Sequence, residues 1–586
     1  MINKISFQNY KAFTNGEIKI KPITILLGAN SVGKSSIMQL FLLLQQTALS
    51  KNHYKSALKL HGGFVSLGEG LNLIRKKDKS KTLSLKVDFD SNKIMDELQN
   101  DYLSRYLEEM LNFATLVQQL YSQQYNEKDT FIDKLTSLFS SNKKKSFETP
   151  FGISRKDLAS HFTRENFADL LGKTHDMFVK LDLKKIPEES LLINESIFLR
   201  HLHQYSTYRS GVNHLQRFPE NVAEYLLAYD FLSGIKNDIH DRKFSINYDI
   251  RVNGKDLILI KMEVENNGNE IISLTFDPDG ANYKLSGVSS KYLKNVSHKT
   301  MDFLKQIFIV PSTIFSFVAN NSNDNQRMGS RNSIFTAILR NVLISFNEAA
   351  SDLFEDDKIN YVSPLRAHPK RYYFLDKAKV NEYVDTFDGD AIAEILKEDL
   401  HLKHQVNNWF KKFNLQVDVS HLKDVIHSLV INQNSLDLDI TDVGFGISQV
   451  LPVIIQGFLS HSDSLTLIEQ PEIHLHPKMQ ADLADLFIDI VMAESSKKNY
   501  SSLKYLIVET HSEYLLKRLR RRISEGKIPA DKVAIYLVDP QTEDKGGTIR
   551  ELLVEEHGQF EWPKDFYGGE LLNDTTEFIK NQKWGK

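Results

Sequence analysis

Cysteine is absent from this 586-residue sequence, and no run of apolar residues is long enough to cross a membrane. Without cysteine the chain can form no disulfide, no thiolate zinc site and no cysteine nucleophile. A membrane-spanning helix needs roughly 18 or more consecutive apolar residues. The opening segment MINKISFQNYKAF alternates like a β-strand and lacks the apolar region of a signal peptide. We therefore expect a cytoplasmic protein with no membrane partner.

A strong excess of charge of one sign is also lacking, because the formal net charge is only −3. Charge therefore predicts no general attraction to nucleic acid or to an anionic membrane. The composition is 41% hydrophobic and 25% charged, which is typical of a globular protein and argues against a disordered one. The length suits several packed units better than a single core.

The pattern of residues along the chain predicts five consecutive regions. Residues 1–90 form an α/β unit with a strand, a loop and an apolar helix. In residues 241–300, alternating strands are joined by Asn-Gly pairs, a strong hairpin signal. In residues 361–586, buried strands such as LTLIE, YLIVET and VAIYLV alternate with helices, which favours a parallel sheet. The later regions are a helical insertion (91–240), a β-rich continuation of the head (241–300), a helical segment (301–360) and the second α/β part (361–586).

Residues 28–35, GANSVGKS, match the P-loop pattern GxxxxGK[ST] between a predicted strand and a predicted helix. Gly28 and Gly33 let the turn fold tightly enough for backbone N–H groups to face phosphate oxygens, and the following helix adds its positive end. We expect Lys34 to reach the β- and γ-phosphates of ATP and Ser35 to hold Mg²⁺. The other predicted contacts of this segment with the nucleotide are Asn30, Ser31 and Ser36.

An acid at the end of a neighbouring strand is needed to anchor Mg²⁺, and Glu469 after the apolar LTLI occupies that place. The chain between Lys34 and Glu469 is far longer than one compact nucleotide-binding fold uses. This split arrangement resembles the ATPase heads of the ABC class in the SMC, Rad50 and RecN group. The resemblance implies an α/β P-loop NTPase of the ABC type, with a split head and a large helical insertion.

Three further features resemble ABC heads. In DVGFGISQVLPVI, residues 442–454, small residues precede an apolar helix, and in ABC heads such a helix start caps the γ-phosphate bound to a second protomer. His511 follows the strand YLIVE, where ABC heads keep a switch histidine that senses the γ-phosphate, although a lone histidine at a strand end is more often a packing residue. Lys11 in NYKAF resembles a basic residue that these heads direct at the nucleotide. The implied capping residues are Gly444, Gly446, Ser448 and Gln449.

A narrower resemblance rests on segments from both ends of the chain. They are NYKAF, GANSVGKSS, YVSPLRAHPKRYYF, DVGFGISQVLPVI, IEQPEIHLHP, ETHSEYLLKRL and GQFEWPKDFY. Together they resemble AAA-family ATPases of the overcoming-lysogenization-defect (OLD-like) class, in the branch with a DUF3696 C-terminal domain found in Septu and retron-Septu anti-phage defence systems. This resemblance implies a head-to-head dimer or higher oligomer whose ATP state gates a separate effector. The segment after His511 is too short for a Toprim nuclease domain, so the implied effector is a partner such as an HNH nuclease.

The residue that handles the attacking water stays open between two candidates. The resemblance places Gln470 where ABC heads usually have a catalytic glutamate. An amide can orient water, and phosphoryl transfer demands positioning more than strong base catalysis. Glu472 is the other candidate, because Pro471 can turn its carboxylate back toward the γ-phosphate, although Glu472 can equally cap the following helix. We favour Glu472 as the base.

Other readings of the sequence also remain. His474 and His476 lack a cysteine or a third nearby histidine, which argues against a metal site. KRLRRR, residues 517–522, is either a DNA-facing basic strip or a solvated helix face, so direct DNA binding stays open. A Rad50- or RecN-like repair ATPase needs a longer coiled coil than the insertion supplies. A nucleotide-gated scaffold with little hydrolysis is compatible with Gln470.

Overall fold

The structure, a computed structural model, describes the chain in separate segments. Of the predicted helical insertion, residues 127–158, 160–161 and 183–221 lie outside the described part. The described residues are 1–50, 56–126, 159, 162–182, 222–279, 282–293, 310–318, 334–355, 357–366, 368–374, 391–423, 426–492, 503–542, 546–562, 576–577 and 579–580.

The secondary structure of these segments mixes strands and helices throughout the chain. The strands are β1 (Ile2–Gln8), β2 (Asn15–Lys19), β3 (Ile23–Leu27), β4 (Leu83–Asp90), β5 (Lys243–Asn253), β6 (Asp256–Asn266), β7 (Asn269–Asp279), β8 (Asn282–Ser289), β9 (Val310–Thr313), β10 (Ser316–Val318), β11 (Ile359–Val362), β12 (Tyr373–Phe374), β13 (Leu415–Lys423), β14 (Ile426–Gln433), β15 (Leu436–Asp439), β16 (Leu465–Glu469), β17 (Tyr505–Glu509), β18 (Val533–Asp539) and β19 (Thr548–Leu552). The α-helices are α1 (Lys34–Ala48), α2 (Asn92–Asp96), α3 (Tyr102–Tyr125), α4 (Arg164–Lys180), α5 (Val222–Asp238), α6 (Ile334–Asp352), α7 (Ala391–Glu398), α8 (Leu400–Phe410), α9 (Phe445–Leu459), α10 (Pro477–Met492) and α11 (Glu513–Ser524).

The P-loop strand β3 lies inside a six-stranded sheet with the order β11-β16-β17-β3-β18-β19. Neighbouring strands run parallel except for β19, which pairs antiparallel with β18. Every residue of β3 and of β16 is buried, as expected for strands covered on both faces. The carboxyl ends of β3, β16 and β17 therefore lie at one edge of the sheet, although β16 and β17 come from the far end of the chain.

Helices cover both faces of this sheet. Ile25 belongs to the apolar core that includes α9, α10 and α11, whereas the next residue, Leu26, belongs to the core that includes α1. Successive residues of a strand point to opposite faces, so the run of apolar residues in β3 fills both cores. The head is a three-layer α/β structure.

A second sheet is antiparallel and has the order β2-β1-β4-β5-β6-β7-β8. Strands β5 to β8 follow one another as hairpins. At the turn between β6 and β7, Asn267 has φ 48° and Gly268 has φ 80°, as a type I′ turn requires. The predicted hairpins are confirmed. Because β4 pairs with β5, the N-terminal region and the β-rich region form one sheet.

The described part of the helical insertion packs against this antiparallel sheet. Phe167 of α4 stacks on Tyr229 of α5 with ring centroids 5.0 Å apart. The hydroxyl of Tyr106 in α3 donates to the backbone carbonyl of Tyr225 at 2.8 Å. Buried residues of α3, α4 and α5 share one apolar core with β4, β5 and β6. In the described residues the insertion is a packed lobe of the head.

Two segments differ from the predicted pattern. The antiparallel pair β9 and β10 lies where the sequence predicts a helix, because Pro311 and the nearby β-branched residues Val310 and Thr313 disfavour helical backbone. In the second α/β part, strands β12 to β15 form a small antiparallel sheet instead of extending the parallel one. This small sheet therefore interrupts the predicted alternation of helix and parallel strand between β11 and β16.

No helix in the described segments is long and apolar enough to cross a membrane.

The predicted fold class is confirmed. The head is an α/β P-loop structure whose two halves are separated in the chain by a helical insertion.

Candidate nucleotide site

The predicted P-loop connects β3 to α1 and folds in a way that requires glycine at two positions. Gly28 has φ 150°, and a Cβ atom there would lie 2.5 Å from the carbonyl oxygen of Val538. Gly33 has φ 110°, and a Cβ atom would lie 2.8 Å from the ring of Phe13. Such contacts and positive φ angles exclude larger residues. Glycine at these two positions therefore lets the loop fold tightly, and phosphate binding by backbone N–H groups requires such a tight loop.

Lys34, the first residue of α1, is buried and folds back over the loop. Its Nζ donates to the carbonyl oxygens of Gly28 at 3.1 Å and Ala29 at 2.7 Å. Burial lowers the pKa of Lys34, while Glu509, Glu472 and Glu469 act to raise it. The ammonium group thus lies among three acids at the mouth of the loop, where a phosphate can replace the two carbonyl oxygens.

The other predicted loop residues lie around this point. Asn30 and Ser31 are exposed at the tip of the loop, and Ser31 has φ 62°. Ser36 donates its backbone N–H to the carbonyl of Gly33 at 3.0 Å, as the first turn of a helix does. Lys11 has a half-buried side chain whose Nζ donates to Oε1 of Gln39 at 2.5 Å, one helical turn beyond Ser35 on α1.

Ser35 meets an acid that the sequence analysis did not assign. The exposed hydroxyl of Ser35 donates to the carboxylate of Glu509, with distances of 3.1 Å to Oε2 and 3.4 Å to Oε1. Glu509 also lies 3.8 Å from Nζ of Lys34. It is the last residue of β17, the strand between β3 and β16, and it is only 3% exposed. The signal in the sequence was an acid that ends an apolar strand beside His511.

Glu469 is the last residue of β16 and lies opposite Glu509 in the register of the two strands. Its Oε1 accepts a hydrogen bond from the hydroxyl of Tyr361 at 3.0 Å. Burial, followed by the charge of Glu509, raises the pKa of Glu469 to about 7, while Tyr361 and Ser35 act to lower it. Burial also raises the pKa of Glu509, against the opposing effects of Lys34 and Ser35. Two crowded carboxylates therefore end adjacent strands beside Ser35, whose hydroxyl donates to Glu509.

These residues fit a magnesium ion. Mg²⁺ prefers oxygen ligands and is usually held by one or two carboxylates together with phosphate oxygens and water. Ser35, Glu469 and Glu509 supply a hydroxyl and two carboxylates beside the P-loop. Within the described residues, no group of three or more His, Cys, Asp or Glu side chains could hold a metal. Phosphate oxygens of a nucleotide and water would complete the coordination of a magnesium ion held by these three residues.

The loop after β16 places the two candidates for handling water differently. Gln470 has φ 44°, and its backbone N–H donates to the carbonyl of Glu509 at 2.8 Å. Glu472 does not cap the helix that follows it. Instead, Oε1 of Glu472 accepts from the backbone N–H of His511 at 2.6 Å, and Oε2 accepts from the hydroxyl of Thr510 at 2.8 Å. Glu472 thus binds the turn before α11 and not the start of α10.

The turn after β17 brings His511 near Lys34 of the P-loop. Burial, followed by the positive charge of Lys34, lowers the pKa of His511 and favours the neutral imidazole. Its Nε2 atom is buried and has no hydrogen-bond partner among the described residues. The predicted switch histidine therefore has a lowered pKa and a buried Nε2 atom without a hydrogen-bond partner in the described part of the chain.

The start of helix α9 exposes its glycines and buries its serine. Gly444, the residue before the helix, is exposed, and a Cβ atom there would meet nothing within 4 Å. A Cβ atom on Gly446 would lie 2.7 Å from the carbonyl oxygen of His474. Ser448 and Gln449 are buried in the first turn. Of the four predicted capping residues, Gly444 and Gly446 are therefore at least partly exposed, whereas Ser448 and Gln449 are buried.

Arg366 links this helix to the end of β16. Its guanidinium donates to the backbone carbonyls of Gln449 at 3.2 Å and Glu469 at 2.9 Å, and more weakly to that of Gln470 at 3.4 Å. Arg366 is buried, and burial lowers its pKa to about 10. The sequence gives no sign of this contact, because only the fold brings Arg366 between the two motifs.

The basic segment 517–522 is largely engaged in ion pairs. Nη1 of Arg518 lies 2.9 Å from Asp482 and 2.7 Å from Asp485, both on α10. Arg522 pairs with Asp485 at 2.5 Å. These contacts join α11 to α10, so two of the arginines serve the packing of helices.

Comparison with known proteins identifies the family. A family model described as the AAA ATPase domain matches residues 1–516. No curated protein is significantly similar to the chain. Among solved structures, the SMC head domain from Thermotoga maritima has 7% identity and a TM-score of 0.30, over 94% of this chain and 98% of that one. The Smc head domain with an extended coiled coil bound to the C-terminal domain of ScpA, from Pyrococcus furiosus, has 8% identity and a TM-score of 0.28, over 99% of both chains.

The family match includes both halves of the site described above. It begins before the P-loop, spans the insertion and extends past Glu469, Glu509 and His511. This chain belongs to the AAA ATPase domain family.

Proposed function

We propose that this protein binds Mg·ATP between its P-loop and the ends of β16 and β17, and hydrolyses it. The observation that supports this most directly is the meeting of Lys34 and Ser35 with Glu469 and Glu509. These groups come from opposite ends of the sequence, and each has a place in phosphate or magnesium binding. Buried charges destabilise a fold unless they are paired, and here two acids share one cation. Packing alone does not explain such a cluster.

The residues of the site would divide the work of phosphoryl transfer. The backbone N–H groups of the loop and the start of α1 bind the phosphates. Lys34 exchanges the carbonyls of Gly28 and Ala29 for phosphate oxygens. Ser35 and Glu469 hold the magnesium ion, which when bound neutralises charge that develops on the phosphates. Glu472 or Gln470 orients the attacking water, and His511 contacts the γ-phosphate.

We further propose that two copies pair head to head around the nucleotide. The exposed Gly444, with open space at its Cβ position, leaves room at the start of α9 for a phosphate of the second copy, and Gly446 beside it is half-exposed. A helix N-terminus favours anions, and small residues allow close approach. The buried Ser448 would support this surface from within, in place of touching the nucleotide directly.

The biological setting that we propose is anti-phage defence, in which the ATP state of the head gates a separate effector, such as an HNH nuclease. The support for this is the resemblance of the sequence motifs to the OLD-like class and to Septu ATPase subunits. The lobe of α3, α4 and α5 supplies a surface for docking such a partner. Phage infection assays with the chain and its neighbouring gene, alone and together, test the setting. Protection that does not need the neighbouring gene would contradict the two-component proposal.

Lys34→Ala is the test of the central proposal. We expect the variant to lose ATP binding, measured by calorimetry in Mg²⁺, and to lose ATP turnover. Lys255→Ala is a matched control, because the side chain of Lys255 is 83% exposed and lies on a hairpin turn of the antiparallel sheet. Unchanged ATP affinity in Lys34→Ala would refute the proposed site.

A scaffold that binds ATP with little hydrolysis is the second candidate function. Gln470 favours it, because an amide occupies the position after the strand-end Glu469 and cannot accept a proton from water. Steady-state turnover with and without DNA separates the two. Turnover that stays at background in both conditions, together with tight ATP binding, would favour the scaffold.

A further inference from the structure

Ser35 lies between two carboxylates that belong to adjacent strands. Glu509 accepts a hydrogen bond from its hydroxyl at 3.1 Å, and the same hydroxyl acts to lower the pKa of Glu469. Glu469 and Glu509 face each other in the strand register and are 6% and 3% exposed. A P-loop serine needs only one neighbouring acid to anchor a metal. The second acid therefore needs a separate explanation.

The positive charge close to these acids is limited. Lys34 is the cation that acts on both Glu469 and Glu509. Its Nζ lies 3.8 Å from Glu509 but only 2.7 Å from the carbonyl of Ala29, so its closest contacts are with the loop. When a triphosphate takes the place of those carbonyls, Lys34 must serve the phosphates as well. Two acids and a nucleotide then face a single ammonium group.

We propose that Glu509 is a second carboxylate of the magnesium site and makes ATP binding depend strictly on the metal. Like charges held close together in a poorly solvated site repel one another strongly, and a bound cation reverses this repulsion. Without a divalent cation, the ionised carboxylates of Glu509 and Glu469 repel the phosphates. With the cation, the same two groups bind it. This inference rests on the proposed function, because it concerns the nucleotide bound at the P-loop.

A purely structural role for Glu509 predicts something different. If Glu509 only accepted the hydrogen bond of Ser35, a glutamine would accept that bond equally well. Glu509→Gln would then bind ATP as the unmodified protein does, with and without metal. Removal of the charge thus separates the two roles while the shape of the side chain is kept.

The experiment measures the affinity of the full chain for mant-ATP in excess EDTA and in Mg²⁺. We expect the unmodified protein to bind the probe in Mg²⁺ and to bind at least about 100-fold more weakly in EDTA. In Glu509→Gln we expect the affinity in EDTA to rise by about tenfold or more, which is about 1.4 kcal/mol. The Mg²⁺ concentration that supports half-maximal binding should rise as well. The ratio of the two affinities is the readout, and it does not depend on turnover.

Two further variants complete the test. Glu513→Gln is the matched control, because Glu513 lies just outside the site on α11, where it pairs with Lys517. It should keep the metal dependence of the unmodified protein. Glu509→Asp keeps the charge and shortens the side chain, so binding in EDTA should stay weak. It also allows the proposal to be tested if Glu509→Gln does not fold, since tight binding of mant-ATP by Glu509→Asp in EDTA would overturn it.

The outcomes distinguish this inference from the proposed function. If the unmodified protein binds mant-ATP in neither condition, the proposed function fails and this inference fails with it. If it binds in Mg²⁺ and Glu509→Gln keeps the same affinity ratio, only the role of Glu509 is overturned. Equal binding in EDTA and in Mg²⁺ by the unmodified protein would also overturn that role and would leave the nucleotide site intact.

Discussion

The carboxylate of Glu472 accepts a hydrogen bond from the backbone N–H of His511 at 2.6 Å, which ties the loop after β16 to the loop after β17. The hydroxyl of Thr510 donates to the other carboxylate oxygen at 2.8 Å. Both oxygens of the candidate base thus accept hydrogen bonds from the loop after β17. A change at Glu472 will therefore affect the position of His511 as well as any proton transfer.

If Glu472 is the general base, Glu472→Gln should abolish ATP turnover and leave the affinity for ATP within about twofold, because an amide cannot accept the proton of water. General-base catalysis contributes typically about 10²–10⁴-fold, so we expect a loss of that size. Single-turnover hydrolysis and calorimetry measure the two quantities.

Thr510→Val separates this role from a positioning role. It removes a hydrogen bond to Glu472 and leaves the carboxylate in place. Normal turnover in Thr510→Val, together with loss in Glu472→Gln, supports the base. An equal loss in both variants would assign Glu472 to the positioning of His511, and normal turnover in Glu472→Gln would return the role to Gln470 or to no side chain.

Gly444→Arg should block pairing of two heads while ATP binding persists. Gly444 is exposed with open space around it, so an arginine fits the isolated chain but obstructs a second copy. Light scattering with ATP should detect a monomer where the unmodified protein forms a dimer. Gly63→Arg is the control, because Gly63 is also exposed with nothing within 4 Å of its Cβ position. ATP-dependent dimers of Gly444→Arg would contradict closure at this surface. Ser448→Arg is a poorer test, because Ser448 is buried and the change would disturb the core.

Arg366→Ala should lower both stability and turnover. The change leaves the buried carbonyls of Gln449 and Glu469 without their donor, and unsatisfied buried polar groups cost about 1–3 kcal/mol each. Urea unfolding measures the loss of stability. Arg366→Lys keeps a positive charge but cannot span both carbonyls with a planar fork, so we expect only partial rescue of turnover. Full turnover in Arg366→Ala would show that the link between α9 and β16 is dispensable.

Lys504 should make stability rise with pH between about 8 and 10.5. Its Nζ donates to the carbonyl of Phe458 at 2.6 Å near the end of α9, and burial lowers its pKa to about 8. Between the folded and unfolded pKa values the unfolded chain binds more protons, so raising the pH favours the folded state. Relative to Lys504→Met, the unmodified protein should gain about 1–2 kcal/mol in this window, a figure reduced for partial exposure. A difference in unfolding free energy that stays constant from about pH 7.5 to 10 would refute the effect.

Local patterns were sufficient to predict much of the head. The P-loop pattern at residues 28–35 fixed both the turn and its neighbours, because a strand, a glycine loop and a helix must follow one another for the loop to form. The apolar LTLI before Glu469 indicated a buried parallel strand in the same way. The Asn-Gly pairs predicted hairpins, because their positive φ angles are a property of the turn itself.

Local patterns carry no information about the orientation of a side chain, which decides what the residue contacts. Ser448 follows two glycines, and its sequence position gives no sign that it faces the core. Glu509 was visible as a strand-end acid, but only the strand order β16-β17-β3 brings it to Ser35. Tyr361 and Arg366 were quoted only as part of a motif, and their partners lie on other strands and helices.

The sequence by itself determined that a phosphate loop, a strand-end acid and a helical insertion exist in this chain, because each depends on neighbouring residues and their periodicity. The tertiary structure alone decided which acids reach Ser35, which residues of the α9 start face outward and what Glu472 binds. These outcomes depend on the order of parallel strands and on the rotation of a helix about its axis. Such long-range packing choices leave no mark on the short segments that they bring together.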